Sequence, residues 1–215
     1  MMPLMNNKTL SIAAVAAVAL VVLGCEKDPG KDQPPAQVSS SATAAKPAAA
    51  GKTFTIAQGD SKVAFTGAKV TASHDGAFQK FSGTVVVPDG KIEQGSVTVD
   101  IDTDSLTVQP DKLQGHLKSK DLFDVATYPK ATFTSTAIVP KGDGKYDVTG
   151  NLNLHGVQKS ISFPATIAVA GDVVTANAEF SINRKDFGII YPGMPDDLIK
   201  DNVLIKLAIK ATAKT

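Results

Sequence analysis

The sequence predicts an all-β protein, an extended antiparallel eight-stranded barrel with one short helix inserted near residues 110–119. Three observations carry that expectation. Apolar residues alternate with polar ones along most of the chain after Thr53, the period of a strand with one buried face. Gly, Pro and Asp clusters cut this alternation into short runs. One stretch switches to helical spacing instead.

Taken in order, Phe54 and Ile56 alternate with Thr53 and Thr55, and Pro88-Asp89-Gly90 marks a turn. Val97, Val99 and Ile101 then alternate with Thr98, Asp100 and Asp102. Between Pro110 and Ser119, Leu113 and Leu117 stand four residues apart, with Asp111 placed to favour the positive end of a helix. Tyr128-Pro129 stops this segment. After the turn Lys141-Gly142-Asp143-Gly144, Leu152 and Leu154 alternate with Asn151, Asn153 and His155, and Ile161 and Phe163 with Ser160 and Ser162. Ala170-Gly171-Asp172 is the next turn. Ala176, Ala178 and Phe180 then share a face against Asn177 and Glu179. Near the end Val203, Ile205, Leu207 and Ile209 share a face, with Lys206 and Lys210 on the other. About eight such strands close most economically into one barrel, which removes exposed edges. The barrel is expected over residues 52–215 as a single unit.

The N-terminal part has a different organisation. Lys8 precedes an uncharged apolar run of fourteen residues, Leu10 to Leu23, short of the roughly 20 that span a bilayer. This is the layout of a secretory signal. Val22-Leu23-Gly24-Cys25 resembles the bacterial lipobox, so residues 1–24 are expected to be a lipoprotein signal peptide and Cys25 the lipidated residue. An ordinary signal peptide with a coincidental Cys is the alternative. Residues 25–51 are rich in Pro, Ala and Ser, with Val38 the only large aliphatic side chain, and are expected to form a flexible tether. As a coil, about 26 residues reach roughly 25–30 Å. Glu26 after the Cys leans the expected location toward the outer membrane, facing the periplasm, rather than the inner.

Composition excludes several classes of function. The 215 residues include 22 basic and 21 acidic side chains, a net charge of +1, with no concentrated basic surface for nucleic acid. One Cys and three separated His argue against a disulfide framework and a dedicated metal centre. No nucleophile motif accompanies His74 beside Asp75, which is read as part of a Gly-bounded turn, and no catalytic constellation assembles. The protein is expected not to be an enzyme.

A longer run carries a resemblance. Gly115-His116-Leu117-Lys118-Ser119-Lys120-Asp121-Leu122-Phe123-Asp124-Val125, then Tyr128-Pro129 and a strand containing Phe133, is similar to the signature of the YceI family of bacterial polyisoprenoid-binding proteins. Gly76 to Gly83, through Phe78 and Phe81, resembles that family's Gly-x-Phe-x-x-Phe-x-Gly. Val99 to Leu106, Gly150 to Lys159 and Asn183-Arg184-Lys185-Asp186-Phe187-Gly188 match further motifs in the same order. Leu122 departs by replacing the first Phe of an aromatic pair. The segment from Phe65 to Gly76 also differs from the better-known form. The resemblance implies a lipocalin-like barrel whose apolar tunnel holds a long isoprenoid chain, with quinones and prenyl carriers as the ligand class.

A linear isoprenoid needs an elongated apolar cavity, since apolar burial at about 25 cal/mol per Å² supplies most of its affinity. The expected tunnel lining is Phe65, Phe78, Phe81, Leu117, Phe123, Phe133, Leu152, Leu154, Phe163, Ala176, Ala178 and Phe180. Ala131, Ala137 and Ala208 are added as small residues that leave room, although each of these side chains is equally at home in a packed core. His116 either meets a ligand headgroup or fastens the helix. Arg184 either forms an ion pair, with Asp186 or Asp121, or meets a phosphate at the mouth. His155 is expected to be exposed in a hairpin. No cofactor is expected beyond the bound isoprenoid or quinone. The expected partners are that ligand and the membrane through the anchor, with a homodimer left open. Three functions follow: a tethered lipid carrier or reservoir, a ligand-free interaction module with a filled interior, or a lipid-modifying enzyme using His116 or His74.

Overall fold

The computed structural model describes residues 28–40, 50–195 and 197–214. Cys25 and the apolar run before it lie outside the described residues. The chain forms β1 (Gln37–Ser40), β2 (Lys52–Ile56), β3 (Lys62–Ala68), β4 (Ser73–Phe78), β5 (Phe81–Val87), β6 (Ser96–Asp102) and β7 (Leu106–Val108). Helix α1 (Asp111–Lys118) follows, then β8 (Lys130–Gly142), β9 (Lys145–Leu154), β10 (Val157–Ala170) and β11 (Val173–Asn183). A two-residue hairpin, β12 (Gly193–Met194) and β13 (Asp197–Leu198), precedes β14 (Asn202–Ala213).

Antiparallel pairing runs β2–β5–β6–β8–β9–β10–β11–β14 and returns from β14 to β2, closing an eight-stranded barrel. Three walls are bent, with β2/β3, β4/β5 and β6/β7 each forming one interrupted stave. In the first, β14 pairs with β2 through Ala211–Ala213 and with β3 through Leu204–Ala208. One end of the barrel carries the β3–β4 turn, α1, the β9–β10 hairpin and the long connection from Arg184 to Asp201. This is the helix end. The hairpins at Gly142–Lys145 and Ala170–Val173 mark the far end.

Helix α1 forms where β7 stops. Its half-buried Leu113 and Leu117 pack on a cluster built from Phe65, Leu106 and Val108. The helix therefore covers β7, which pairs with β4 and, among the described residues, has no strand on its other side.

The expected flexible tether is corrected in part. Strand β1 lies antiparallel to Lys159–Ser162 of β10, and Pro35 bridges to Ser181 of β11. The Ala36 N–H donates to the Ser181 carbonyl at 2.8 Å, and the Ser181 N–H donates to the Pro34 carbonyl at 3.1 Å. The cause lies in the wall. Strands β10 and β11 pair only over Thr166–Ala170 and Val173–Asn177, then diverge, leaving unpaired backbone that the N-terminal segment satisfies. Ala36 and Val38 pack into the main core as it does so.

Two further expectations change. His74 and Asp75 belong to strand β4 rather than a turn, so their side chains point to opposite faces. Ala137 and Ala208 are exposed. A bulge between Ser135 and Ala137 shifts the alternation, so Ile138 rather than Ala137 turns inward. The Ser135 hydroxyl accepts the Val97 N–H there at 2.8 Å. Ala208 simply shares the outward face of Lys206 and Lys210.

Candidate functional site

The barrel encloses a cavity of about 230 Å³. On β14 its wall runs from Val203 through Ile205, Leu207 and Ile209 to Ala211, about 26 Å at the ~3.3 Å rise of a strand. The lumen is therefore long and narrow. Of the 34 described residues bordering it, only Asn177 and Arg184 are polar. Its volume falls just below the roughly 300–1,000 Å³ usual for ligand pockets.

Ten of the twelve expected lining residues border the lumen: Phe65, Phe78, Phe123, Phe133, Leu152, Leu154, Phe163, Ala176, Ala178 and Phe180. Ala131 does so as well. Phe81 and Leu117 do not. Phe81 is 7% exposed and packed into the core where β4 breaks into β5, and Leu117 packs outside the lumen on the helix-end cluster. The aliphatic walls from β6 and β14, absent from the expected lining, were marked by the same alternation that located their strands.

Aromatic rings gather in two places. At the helix end Phe65, Phe78 and Phe123 form a triangle, with centroids 5.8, 6.2 and 5.8 Å apart. Deeper in the barrel, Phe163 stacks on Phe180 at 4.2 Å and meets Phe133 at 5.8 Å. Glycines make room for two of these rings. A Cβ on Gly150 would stand 2.6 Å from Phe133 Cε2, and Gly76 lies opposite Phe65 across β3–β4. Each ring lies back against bare backbone instead of standing across the lumen. Both glycines fall in the motifs that carried the resemblance, but their role depends on cross-strand register.

The polar candidates sit at the helix end. Arg184 is 4% exposed, and its guanidinium fastens the connection that follows it. Nε donates to the Lys200 carbonyl at 3.1 Å, Nη1 to Ile189 at 2.6 Å, and Nη2 to Ile199 and to Asp201 Oδ1, both at 3.3 Å. Its ion-pair partner is thus Asp201, correcting the expected Asp186 or Asp121. Burial pushes its pKa down, opposed by the Asp201 charge. His116 is half-exposed on the rim, its Nε2 3.4 Å from Asp121 Oδ2 and its ring edge-on to Tyr191 at 5.1 Å. It does not border the lumen. His155 is half-buried rather than exposed, lying 4.5 Å from the Tyr128 ring. Asp75 accepts from the Thr66 hydroxyl and from Lys206, which hold its carboxyl below the ordinary range.

A closed antiparallel barrel around an elongated apolar lumen defines the class as a lipocalin-like barrel. Residues 54–211 match the YceI-like domain, and the chain belongs to that family. A UPF0312 protein of Pseudomonas putida strain W619 is 38% identical over 124 residues, covering 55% of this chain and 65% of the relative. The chain thus spans just under two thirds of the length of such curated relatives. Among solved structures, Burkholderia cenocepacia BcnA is 34% identical with a TM-score of 0.66, covering 73% of this chain and 99% of that one. A polyisoprenoid binding domain from Saccharophagus degradans, implicated in plant cell wall breakdown, shares the fold at 20% identity and a TM-score of 0.62, covering 75% of this chain and 98% of that one.

Proposed function

We propose that this protein is a binding protein, a carrier or reservoir for a long-chain isoprenoid lipid or quinone in the bacterial envelope. In this reading Cys25 carries the lipid anchor and holds the barrel on the periplasmic side, at the outer membrane in preference to the inner. The observation that carries the ligand class is the composition of the wall, with two polar residues among 34 around a lumen about 26 Å long. A hydrocarbon chain gains affinity along such a wall by desolvation, whereas a polar ligand would leave its hydrogen bonds unmade. The binding described for the Saccharophagus domain, which shares this fold, supports the same class. Chemistry on the ligand is not part of the proposal, because the His116–Asp121 pair faces Tyr191 at the rim and not the lumen.

The test is extraction of the natively purified protein with organic solvent, followed by mass spectrometry. A series of ions spaced by prenyl units, at close to one lipid per chain, is the expected result. A protein that copurifies with no lipid and takes up no added prenyl chain would leave the cavity without this role.

A further inference from the structure

Among the described residues five large hydrophobic side chains are exposed: Val70, Val139, Ile190, Met194 and Leu198. Four of them stand together at the helix end. Ile190 is 69% exposed and Met194 62%, on the connection that Arg184 fastens. Leu198 lies opposite Gly193 in the hairpin, and its carbonyl accepts the Val70 N–H at 3.1 Å. Asp197 holds the hairpin on the barrel, accepting from Lys69 and from both the N–H and the hydroxyl of Thr71. These side chains are therefore presented on a tied-down support, not on a free loop. Tyr191, between Ile190 and the hairpin, adds an aromatic side chain with a polar tip of the kind enriched where protein meets the membrane interface.

The position of Asp28, the first described residue, bears on what this surface faces. A Cβ on Gly30 would stand 2.9 Å from the Cβ of Asn202 and 3.3 Å from that of Ser181, so Gly30 lies beside the helix-end termini of β14 and β11. Asp28 is thus at the helix end, only three residues after Cys25. Three residues reach about 10 Å at most, far less than a tether of 26. An anchored Cys25 would hold the helix end against the bilayer, with the exposed apolar side chains on the side that faces it. The lumen reaches the same end, where Ile189, the neighbour of Ile190, and Phe123 border it.

We propose that Val70, Ile190, Met194 and Leu198 form a bilayer-docking surface, through which the barrel sits helix-end down on the lipid and exchanges its ligand. The exchange step rests on the lipid-binding reading. The anchoring at Cys25 rests on the function proposed above, whereas the docking surface itself rests on the exposed side chains.

The chain contains no Trp, so a single indole can report each position. Met194→Trp places one at the docking surface, and Val139→Trp places one at the remaining exposed hydrophobic, toward the far end. Each full-length variant is mixed with vesicles of phosphatidylethanolamine and phosphatidylglycerol carrying brominated acyl chains, and bound lipid is assayed on the same preparation. Emission from Met194→Trp should shift to the blue and lose most of its intensity, while Val139→Trp should change little. That result supports docking whether or not lipid is found in the lumen. Equal responses at the two positions, or none at either, overturn docking, and lipid in the lumen would then still support the binding reading. A blue shift of Met194→Trp that is insensitive to brominated lipid and depends on protein concentration also overturns it, assigning the surface to a second copy of the chain.

Discussion

Gly76 lies under the ring of Phe65 across the β3–β4 pair. A Cβ on Gly76 would stand 2.7 Å from Phe65 Cε1 and 2.9 Å from Cε2, closer than packed carbon atoms approach. The ring is also confined by Phe78 and Phe123, so it has little freedom except toward the lumen. Gly76→Ala should therefore drive Phe65 inward at the helix end. Overpacking of this kind costs about 1–3 kcal/mol, at roughly 2–4 °C of melting temperature per kcal/mol for a chain of this size. Uptake of a prenyl chain should slow in parallel. Unchanged melting and unchanged uptake would show that the ring has another place to go.

Ala178 tests the middle of the lumen. It shares the inner face of β11 with Ala176 and Phe180, and all three border the cavity. Ala178→Phe should fill space that is empty, so the barrel should keep its melting temperature within a few degrees while copurified lipid is lost. A fall in stability of the size expected for a close-packed core, above about 3 kcal/mol, would show that this part of the lumen has no room for a ligand.

Ala36 tests the N-terminal segment that fills the divergence of β10 and β11. It is 8% exposed and belongs to the main core. Ala36→Asp places a charge among apolar side chains, and detaching β1 is the least costly response. Hydrogen exchange should accelerate at Ser181, whose N–H is held by Pro34, and at the amides of Lys159–Ser162 that face β1. Exchange in β9 and β14 should stay slow. Unaltered protection at Ser181 would mean that the segment does not hold that seam.

Asp197 gives the hairpin a pH dependence. Its bonds to Lys69 and Thr71 lower its pKa from the usual value near 3.8. A carboxyl with a lower pKa in the folded state than in the unfolded state stabilises the fold most fully above the unfolded value. The contribution drains away as pH falls through the folded one. Between pH 5 and pH 2.5 the wild type should lose melting temperature more steeply than Asp197→Asn, which carries no titrating group there. Parallel curves would place the acid sensitivity elsewhere.

Alternation made the barrel legible, because a half-buried strand must place its apolar residues two apart. Val203, Ile205, Leu207 and Ile209 alternate onto one face in the sequence, and all four border the lumen. The pattern fails wherever register changes. The bulge at Ser135 moved Ala137 outward, and the break at Gln79-Lys80 carried Phe81 into packed core instead of onto the lumen wall. Strand β1 was not legible. Its attachment depends mostly on main-chain hydrogen bonds to a seam formed more than a hundred residues later, and a Pro-, Ala- and Ser-rich composition does not encode that seam. Arg184 was recognisable as a structural cation, but its use of the Lys200, Ile189 and Ile199 carbonyls depends on the path of a loop that no periodicity describes.

The divergence of β10 from β11 has a counterpart at β7, which among the described residues pairs with β4 alone and carries α1 packed upon it. Both departures from the ladder lie at the helix end. At that end the strand ladder is supplemented by β1 on one side and by a helix on the other. A chain of the proposed kind entering there would leave its trailing end among these added elements, beside Arg184, which borders the lumen, and apart from His116, which does not.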